Sequence, residues 1–361
     1  MPRTLLTGAT GFIGAHLARA LVRRGDSVRA TVRERSDVRL IDDLDLEVVH
    51  CDVLDRQAVR RAMKGVDRVF HAAGVTSVRP SDRERMFTTN VEGTAVVLEE
   101  ALRARVKRAV VVSSAAALGP APWGGAGDES QLFTAGHLAI PYVTAAHEAE
   151  GQAMRLAAAG LDMVCVNPTA VFGPGDLHVT STRLVRSFML GRVPAYADGA
   201  LNVVDVRDVA EGALLADERG AAGERYILGG RNFTFDRFFA DLGRMTGVTP
   251  PVKVPVGLAA AAAGLLGFGP GRTVLSPQEV AAASQYWTYR SAKAERELGW
   301  SSRPHEETLE ATVEWYRDLE GDRIARSRRS QQLPYRAAAG AIAVGEGAAS
   351  VGRRVLRGLG G

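Results

Sequence analysis

Residues 3–25 read RTLLTGATGFIGAHLARALVRRG. The short apolar run Arg3 to Thr7 predicts a strand. Leu17, Leu21 and Val22 give the following segment one apolar helical face, with Gly25 as its stop. Between them Gly8, Gly11 and Gly14 make a turn in which each glycine has a steric duty. The first permits the tight strand-to-helix reversal, the second lets backbone approach a pyrophosphate, and the third lets helix and strand pack closely. The N–H groups that open the helix meet negative charge, so Thr10, Phe12 and Ile13 join the glycines as candidate dinucleotide contacts.

Outward from this turn, further short strands are expected at Ser27 to Val32, Leu46 to His50, Arg68 to His71, Arg108 to Ser113 and Asp162 to Val166. Helical patterns alternate with them, the longest being Val91 to Leu102 and Tyr142 to Ala159. Such alternation predicts an α/β fold: a Rossmann doubly wound parallel sheet over residues 1–175. After Asn167 the chain becomes punctuated by Pro and Gly, as at Phe172-Gly173-Pro174-Gly175 and Thr249-Pro250-Pro251. A smaller C-terminal substrate lobe is expected over 176–317, with segments near 201–228 returning to the main sheet. Residues 318–361, basic and rich in Ala and Gly, are expected to be loosely ordered.

Hydrophobic residues at 46% and charged residues at 24% exclude a disordered chain and a membrane bundle. A net charge of +4 is too mild an excess to imply nucleic acid, so the expected partner is a small molecule. The weakly polar stretch Val254 to Gly269 is shorter than the ~20 residues that span a bilayer. It reads as a buried helix, and no integral membrane segment is expected. Cys51 and Cys165 lie in or beside apolar runs and suggest no disulfide framework. With an N-terminus that runs straight into a strand and no signal peptide, the expected compartment is the cytoplasm. Acids and histidines show no metal-ligand spacing, so no metal is expected.

The choice of dinucleotide is set at the end of the second strand, where an acid would bind the ribose hydroxyls of NAD. Val32 takes that place, and Arg33 follows, with Arg35 and Arg39 nearby. A 2′-phosphate would meet guanidinium there, which favours NADP over NAD. A solvated basic loop is the alternative reading.

Gly8-x-x-Gly11-x-x-Gly14, Cys51-Asp52-Val53, His71-Ala72-Ala73-Gly74, Asn90-Val91-Glu92-Gly93-Thr94, Ser113-Ser114 and Asn167-Pro168 to Gly173-Pro174-Gly175 occur in this order. The series resembles the extended short-chain dehydrogenase/reductase (epimerase/dehydratase) family over roughly residues 3 to 317. The stretches Val28 to Arg33, Gly223 to Gly230 and Ser291 to Gly299 are most similar to its dihydroflavonol reductase-like and hopanoid-associated sugar epimerase branches. By this resemblance Asp52 and Val53 would flank the adenine, Ala72, Ala73 and Gly74 would line the cofactor cleft, and Pro168 would border the nicotinamide. Ser114 would hold the substrate oxygen, Tyr142 would donate or accept the proton, and Asn90 would support the catalytic site. Asp52 as a turn acid and Asn90 as a buried hydrogen-bonder remain open. The family often dimerises through the two helices flanking the fifth strand, which admits a homodimer here.

One element of the family pattern is missing. Its tyrosine is followed four residues later by lysine, on the same helical face, where the charge favours tyrosinate. Here Tyr142 is followed by Ala146. His147 points away from that face at 3.6 residues per turn. Tyr289 with Lys293 repeats the spacing, but far past the sixth strand. Glu148 and Glu150 read as solvated helix acids, and His137 as a loop residue within reach of the cleft. Three functions follow: an NADP-dependent oxidoreductase on a carbonyl/alcohol pair, a sugar epimerase or dehydratase, and a non-catalytic NADP-binding protein. Phe233, Phe235, Phe238, Phe239, Tyr286 and Trp287 would suit an apolar substrate, with core packing as the other reading.

Overall fold

The protein is described by a computed structural model covering residues 1–77, 80–193, 195–257 and 277–330. The chain runs β1 (Arg3–Thr7), α1 (Phe12–Arg24), β2 (Ser27–Val32), β3 (Glu47–His50), α2 (Arg56–Ala62), β4 (Arg68–His71), α3 (Gly93–Ala104), β5 (Arg108–Val112), α4 (Pro141–Ala158) and β6 (Met163–Pro168). It continues through β7 (Ala170–Phe172), α5 (Arg183–Met189), β8 (Ala200–Asp205), α6 (Val206–Arg219), β9 (Arg225–Leu228), β10 (Arg231–Thr234), α7 (Phe235–Thr246), β11 (Tyr286–Trp287) and α8 (His305–Ser330).

The main sheet has the order β9-β6-β5-β4-β1-β2-β3, and every pairing in it is parallel. Parallel strands covered on both faces read as continuous apolar runs, and all six residues of β6 are buried. On one face Leu17, Leu21, Val209 and Ala213 of α1 and α6 pack on Leu6, Phe70, Val110 and Val164. On the other, Val59, Val97, Leu98 and Ala153 of α2, α3 and α4 pack on Leu5, Val69, Val111 and Cys165. The helix ends carry local causes. Gly25 closes α1 in the left-handed region at φ 91°, returning its N–H to Leu21 and Val22. Asp55 caps α2 by accepting from the N–H groups of Gln57 and Ala58.

A second sheet is built on β8, which pairs antiparallel with β10 and parallel with β11 and β7. The expectation that 201–228 returns to the main sheet therefore holds for β9, its edge strand, and fails for β8. All six β8 residues are buried, so burial alone does not tell which sheet the strand joins. Phe233, Phe235, Phe238 and Phe239 are buried against one another and against Phe172, Phe188 and Tyr316. They are core residues, the second of the two readings.

A second correction concerns the tail. Residues 318–330 continue α8 past a kink at Glu320, where Glu320 pairs with Arg186 at 2.7 Å and Ile324 is buried. Residues 331–361 and most of the apolar run Val254 to Gly269 lie outside the described residues. Cys51 and Cys165 are free and buried. Among the described residues no helix is long and apolar enough to cross a membrane.

Candidate active site

The strand order places β1 between β2 and β4, so the chain leaves the sheet centre in opposite directions on either side of β1. Ligands of open α/β sheets bind outside the carboxyl ends of strands at such a switch point. Thr7 is in register with both Thr31 and His71, and Val32 with His50. The turns after β1, β2, β3 and β4 consequently open on one edge.

Gly8 has φ 74°, and a Cβ there would lie 2.6 Å from the Ala72 carbonyl and the Ala73 nitrogen. A Cβ on Gly14 would lie 1.9 Å from the Gly8 carbonyl oxygen. The glycine turn is thus pressed against the Ala72-Ala73 turn, with no room for side chains between them. Gly11 caps α1 without a side-chain hydrogen bond, and no acid occupies the first helical turn. The leading amides of Phe12, Ile13 and Gly14 have no intrahelical acceptor and keep their affinity for an anion. Thr10 is half-buried beside them, while Phe12 is buried edge-on to His16 at 6.0 Å. This cradle fits a dinucleotide pyrophosphate.

Beyond Val32, the Arg33 N–H donates to Ser36 Oγ at 3.1 Å. Arg33 and Arg35 are exposed, and among the described residues neither guanidinium has an ion-pair partner. Arg39 is occupied by Asp37, so it adds no free charge. Glu34 lies exposed between the two free arginines. Asp52 is exposed and accepts the Leu54 N–H at 3.0 Å as a turn acid would. Val53 is buried below Gly93, whose Cβ would approach Val53 Cγ2 to 2.8 Å.

The loop after β4 is tightly held. Thr7 Oγ accepts the Ala73 N–H at 3.3 Å and also bonds His71 Nδ1 at 2.7 Å, while His71 Nε2 bonds Thr94 Oγ at 2.9 Å. Burial pushes His71 down to about 4, so the ring is neutral. Asn90 grips Val75 twice, Oδ1 accepting its N–H at 2.7 Å and Nδ2 donating to its carbonyl at 2.9 Å. Asn90 thereby holds the loop next to Gly74.

Ser114 follows β5 in extended conformation, and its Oγ accepts the Ala116 N–H at 3.1 Å. Tyr142 lies in the first turn of α4 with its phenol facing the hydroxyls of Ser114 and Thr76. Desolvation raises the phenol above its ordinary value, and the two hydroxyls oppose that rise. Ala146 is buried one turn further on. Two turns on is Glu150, only 3% exposed, which corrects its reading as a solvated acid. Its carboxylate accepts from Ser113 Oγ and Asn167 Nδ2 and pairs with Arg225 at 3.2 Å. Asn167 Nδ2 also donates to the Ser114 carbonyl at 3.1 Å, just before Pro168 at the end of β6. The i, i+4, i+8 spacing of Tyr142, Ala146 and Glu150 was the available signal for this buried acid.

The remaining candidates turn away from Tyr142. His147 Nδ1 bonds the Ala117 carbonyl at 3.0 Å and its ring stacks on Phe133 at 3.8 Å. His137 is exposed and bonds the Thr134 carbonyl at 2.8 Å. Lys293 pairs with Glu224 and lies 4.6 Å over the Tyr226 ring, at the edge strand. Tyr289 belongs to the site after all. Its hydroxyl is buried between the carbonyls of Ala115 and Gly119, at 3.1 and 2.9 Å, and fixes the loop that follows Ser114. Among the described residues no group of three His, Cys, Asp or Glu is placed to hold a metal.

The sequence profile of the NAD dependent epimerase/dehydratase family matches residues 4–229. Sterol demethylase protein B of Methylococcus capsulatus is 39% identical over 249 residues, 69% of this chain and 76% of that protein. A putative dihydroflavonol 4-reductase of Synechocystis is 35% identical over 325 residues, 87% of this chain and 94% of that protein. The crystal structure of gox2253 shares 35% identity and a TM-score of 0.79 over 88% of this chain and 99% of that one. With the glycine cradle at the switch point and Ser114 beside Tyr142, the chain belongs to the NAD-dependent epimerase/dehydratase family of extended short-chain dehydrogenases/reductases, whose cofactor is a nicotinamide dinucleotide.

Proposed function

We propose that this protein is an NADP-dependent oxidoreductase that reduces the carbonyl of a small apolar substrate. The observation that carries the reading is Tyr142, a phenol kept protonated by desolvation, faced by Ser114 and with alanine on its own helical face where a lysine would favour tyrosinate. A bound nicotinamide supplies the hydride. Ser114 Oγ already accepts the Ala116 N–H, so its own proton is available to a carbonyl oxygen. Tyr142 then donates its proton as the alkoxide develops, and a raised pKa keeps that proton in place through neutral pH. Oxidation, and the epimerase or dehydratase reactions of the family, lean on tyrosinate as base, which the Ala146 face does not favour.

NADP is supported over NAD by Arg33 and Arg35, two guanidiniums with no ion-pair partner among the described residues, flanking Glu34 just beyond β2. An apolar substrate is supported by the loop between Ser114 and Tyr142, where Leu132 is 82% exposed and Trp123 is 74% exposed, its ring tilted against Tyr286 at 4.6 Å. The two curated relatives are named for a sterol and a dihydroflavonol, both fused-ring compounds. A second reading, a protein that holds NADP without turnover, draws on the same Ala146. Incubation with NADPH and a panel of apolar ketones separates the two. Oxidation that disappears in Tyr142→Phe supports the reductase, whereas NADPH binding with no oxidation supports the second reading.

A further inference from the structure

We propose that Glu150 and Asn167 are positioning residues that together set the place of Ser114: the carboxylate aims the amide, and the amide holds the Ser114 carbonyl. The catalytic consequence rests on the reductase reading above, in which Ser114 Oγ donates to the substrate carbonyl. Ser114 lies where β5 has ended and a short turn, Ala115–Ala117, begins. Its backbone is extended, at φ −153° and ψ 148°. Its carbonyl oxygen accepts from the Ala117 N–H at 2.9 Å and from Asn167 Nδ2 at 3.1 Å, while its Oγ accepts the Ala116 N–H at 3.1 Å. A carbonyl oxygen has two lone pairs, and here both are used. Rotation of the peptide that follows Ser114 would break the two bonds together.

Asn167 can hold that carbonyl in one orientation of its amide only. Nδ2 carries two protons, one given to the Ser114 carbonyl and the other to Glu150 Oε2. Turned over, the amide would set its oxygen against a carbonyl and a carboxylate, so Glu150 fixes which way it faces. In the held orientation Asn167 Oδ1 is buried and has no partner among the described residues, a cost to stability. An aliphatic side chain would serve the core without that cost. Glu150 Oε2 also accepts from Ser113 Oγ, and Oε1 pairs with Arg225 at 3.2 Å, so the carboxylate is compensated at 3% exposure. One acid on α4 thus ties together the ends of β5 and β6 and the edge strand β9. Tyr142 lies two turns away on the same face of α4, about 12 Å along the axis, so Glu150 acts on the site through Ser114 rather than by touching Tyr142.

Two substitutions separate positioning from packing. Asn167→Leu keeps the volume and the Glu150–Arg225 pair but removes the amide. Glu150→Gln weakens the pair with Arg225 but keeps an oxygen for Ser113 and Asn167. The first measurement, hydrogen–deuterium exchange read by mass spectrometry on peptides spanning residues 113–119, needs neither cofactor nor substrate. Exchange there is expected to run roughly three- to tenfold faster in Asn167→Leu, the scale of one hydrogen bond, and near wild type in Glu150→Gln, with residues 3–25 unchanged in both. With NADPH and a reducible ketone, Asn167→Leu is expected to lower kcat roughly ten- to a hundredfold, the scale of a displaced catalytic group, without changing NADPH affinity. Glu150→Gln should keep most of the rate although it unfolds at lower urea. Unchanged exchange at 113–119 in Asn167→Leu overturns the proposal. So does an unchanged kcat in that variant, or a rate that follows stability by falling in Glu150→Gln as far as in Asn167→Leu. If wild-type protein reduces no ketone, the reductase reading fails on that result, and the exchange pattern still decides whether Glu150 and Asn167 hold Ser114.

Discussion

Restoring the family residue by Ala146→Lys tests the electrostatic argument directly. Residues 142 and 146 are one turn apart in α4, with Cβ atoms about 5–6 Å apart. An ammonium about 5 Å from the phenolate oxygen contributes about 3 kcal/mol at an effective dielectric constant near 20. That corresponds to about a hundredfold more tyrosinate at a fixed pH. Two features reduce the gain. Position 146 is 7% exposed, so the ammonium loses hydration. The nearby Glu150 carboxylate already has three partners and offers the lysine little. A net increase of about tenfold is expected after this discount. The assay is tyrosinate absorbance against pH for Ala146→Lys, with Ala146→Lys/Tyr142→Phe as the blank, followed by alcohol oxidation with NADP. The variant should form tyrosinate at lower pH and oxidise alcohols faster, with ketone reduction gaining less. Unchanged absorbance and unchanged oxidation, in a variant that still binds NADPH, would show that a charge at position 146 does not reach the Tyr142 phenol.

Gly8→Ala must place a Cβ 2.6 Å from the Ala72 and Ala73 backbone at φ 74°, so the two turns separate. NADPH affinity, read by fluorescence, should fall at least about tenfold. Arg33→Ala removes a charged hydrogen bond to a 2′-phosphate and should weaken NADPH by roughly tenfold or more while leaving NADH unchanged; equal loss for both dinucleotides would contradict the assignment. Glu150→Ala strands Arg225 and Asn167, and urea unfolding should show a loss of about 3–5 kcal/mol, with a smaller loss for Glu150→Gln. His71 is held near 4 in the folded chain against about 6.5 unfolded, so the unfolded state protonates first as pH falls. Its contribution is complete above pH ~6.5, declines toward pH ~4 by up to about 3 kcal/mol, and is flat below. Urea midpoints across that interval check it, and the slope should shrink in His71→Gln.

Local pattern located the Rossmann strands well. Arg3–Thr7, Ser27–Val32 and Arg68–His71 have the bounds their apolar runs indicate, because turn residues flank each run. Partnership between distant segments was harder to read. The β8 run is buried throughout, and its sequence carries no mark of which sheet it joins. Residues 318–330 look unstructured by composition, yet a single buried Ile324 and an ion pair spanning from Arg186 to Glu320 anchor them. The four phenylalanines left pocket and core as alternatives, because composition does not distinguish a core face from a cavity wall. At the site, the glycine turn was legible from spacing, whereas Tyr142 was indicated by the family resemblance. Glu150 carried a helical-spacing signal, whereas Tyr289 reaches the site through loop placement, which has no local sequence signature.

Tyr142 is proposed as the acid that protonates the carbonyl oxygen as bound NADPH gives up its hydride. Single-turnover oxidation of NADPH by an apolar ketone, in wild-type protein and Tyr142→Phe, tests it most directly. Measurable oxidation is expected in wild type, with a rate at least about a hundredfold lower in the variant, the usual scale of general acid catalysis. Wild-type protein that binds NADPH without oxidising it, or a variant that reacts as fast as wild type, would contradict it.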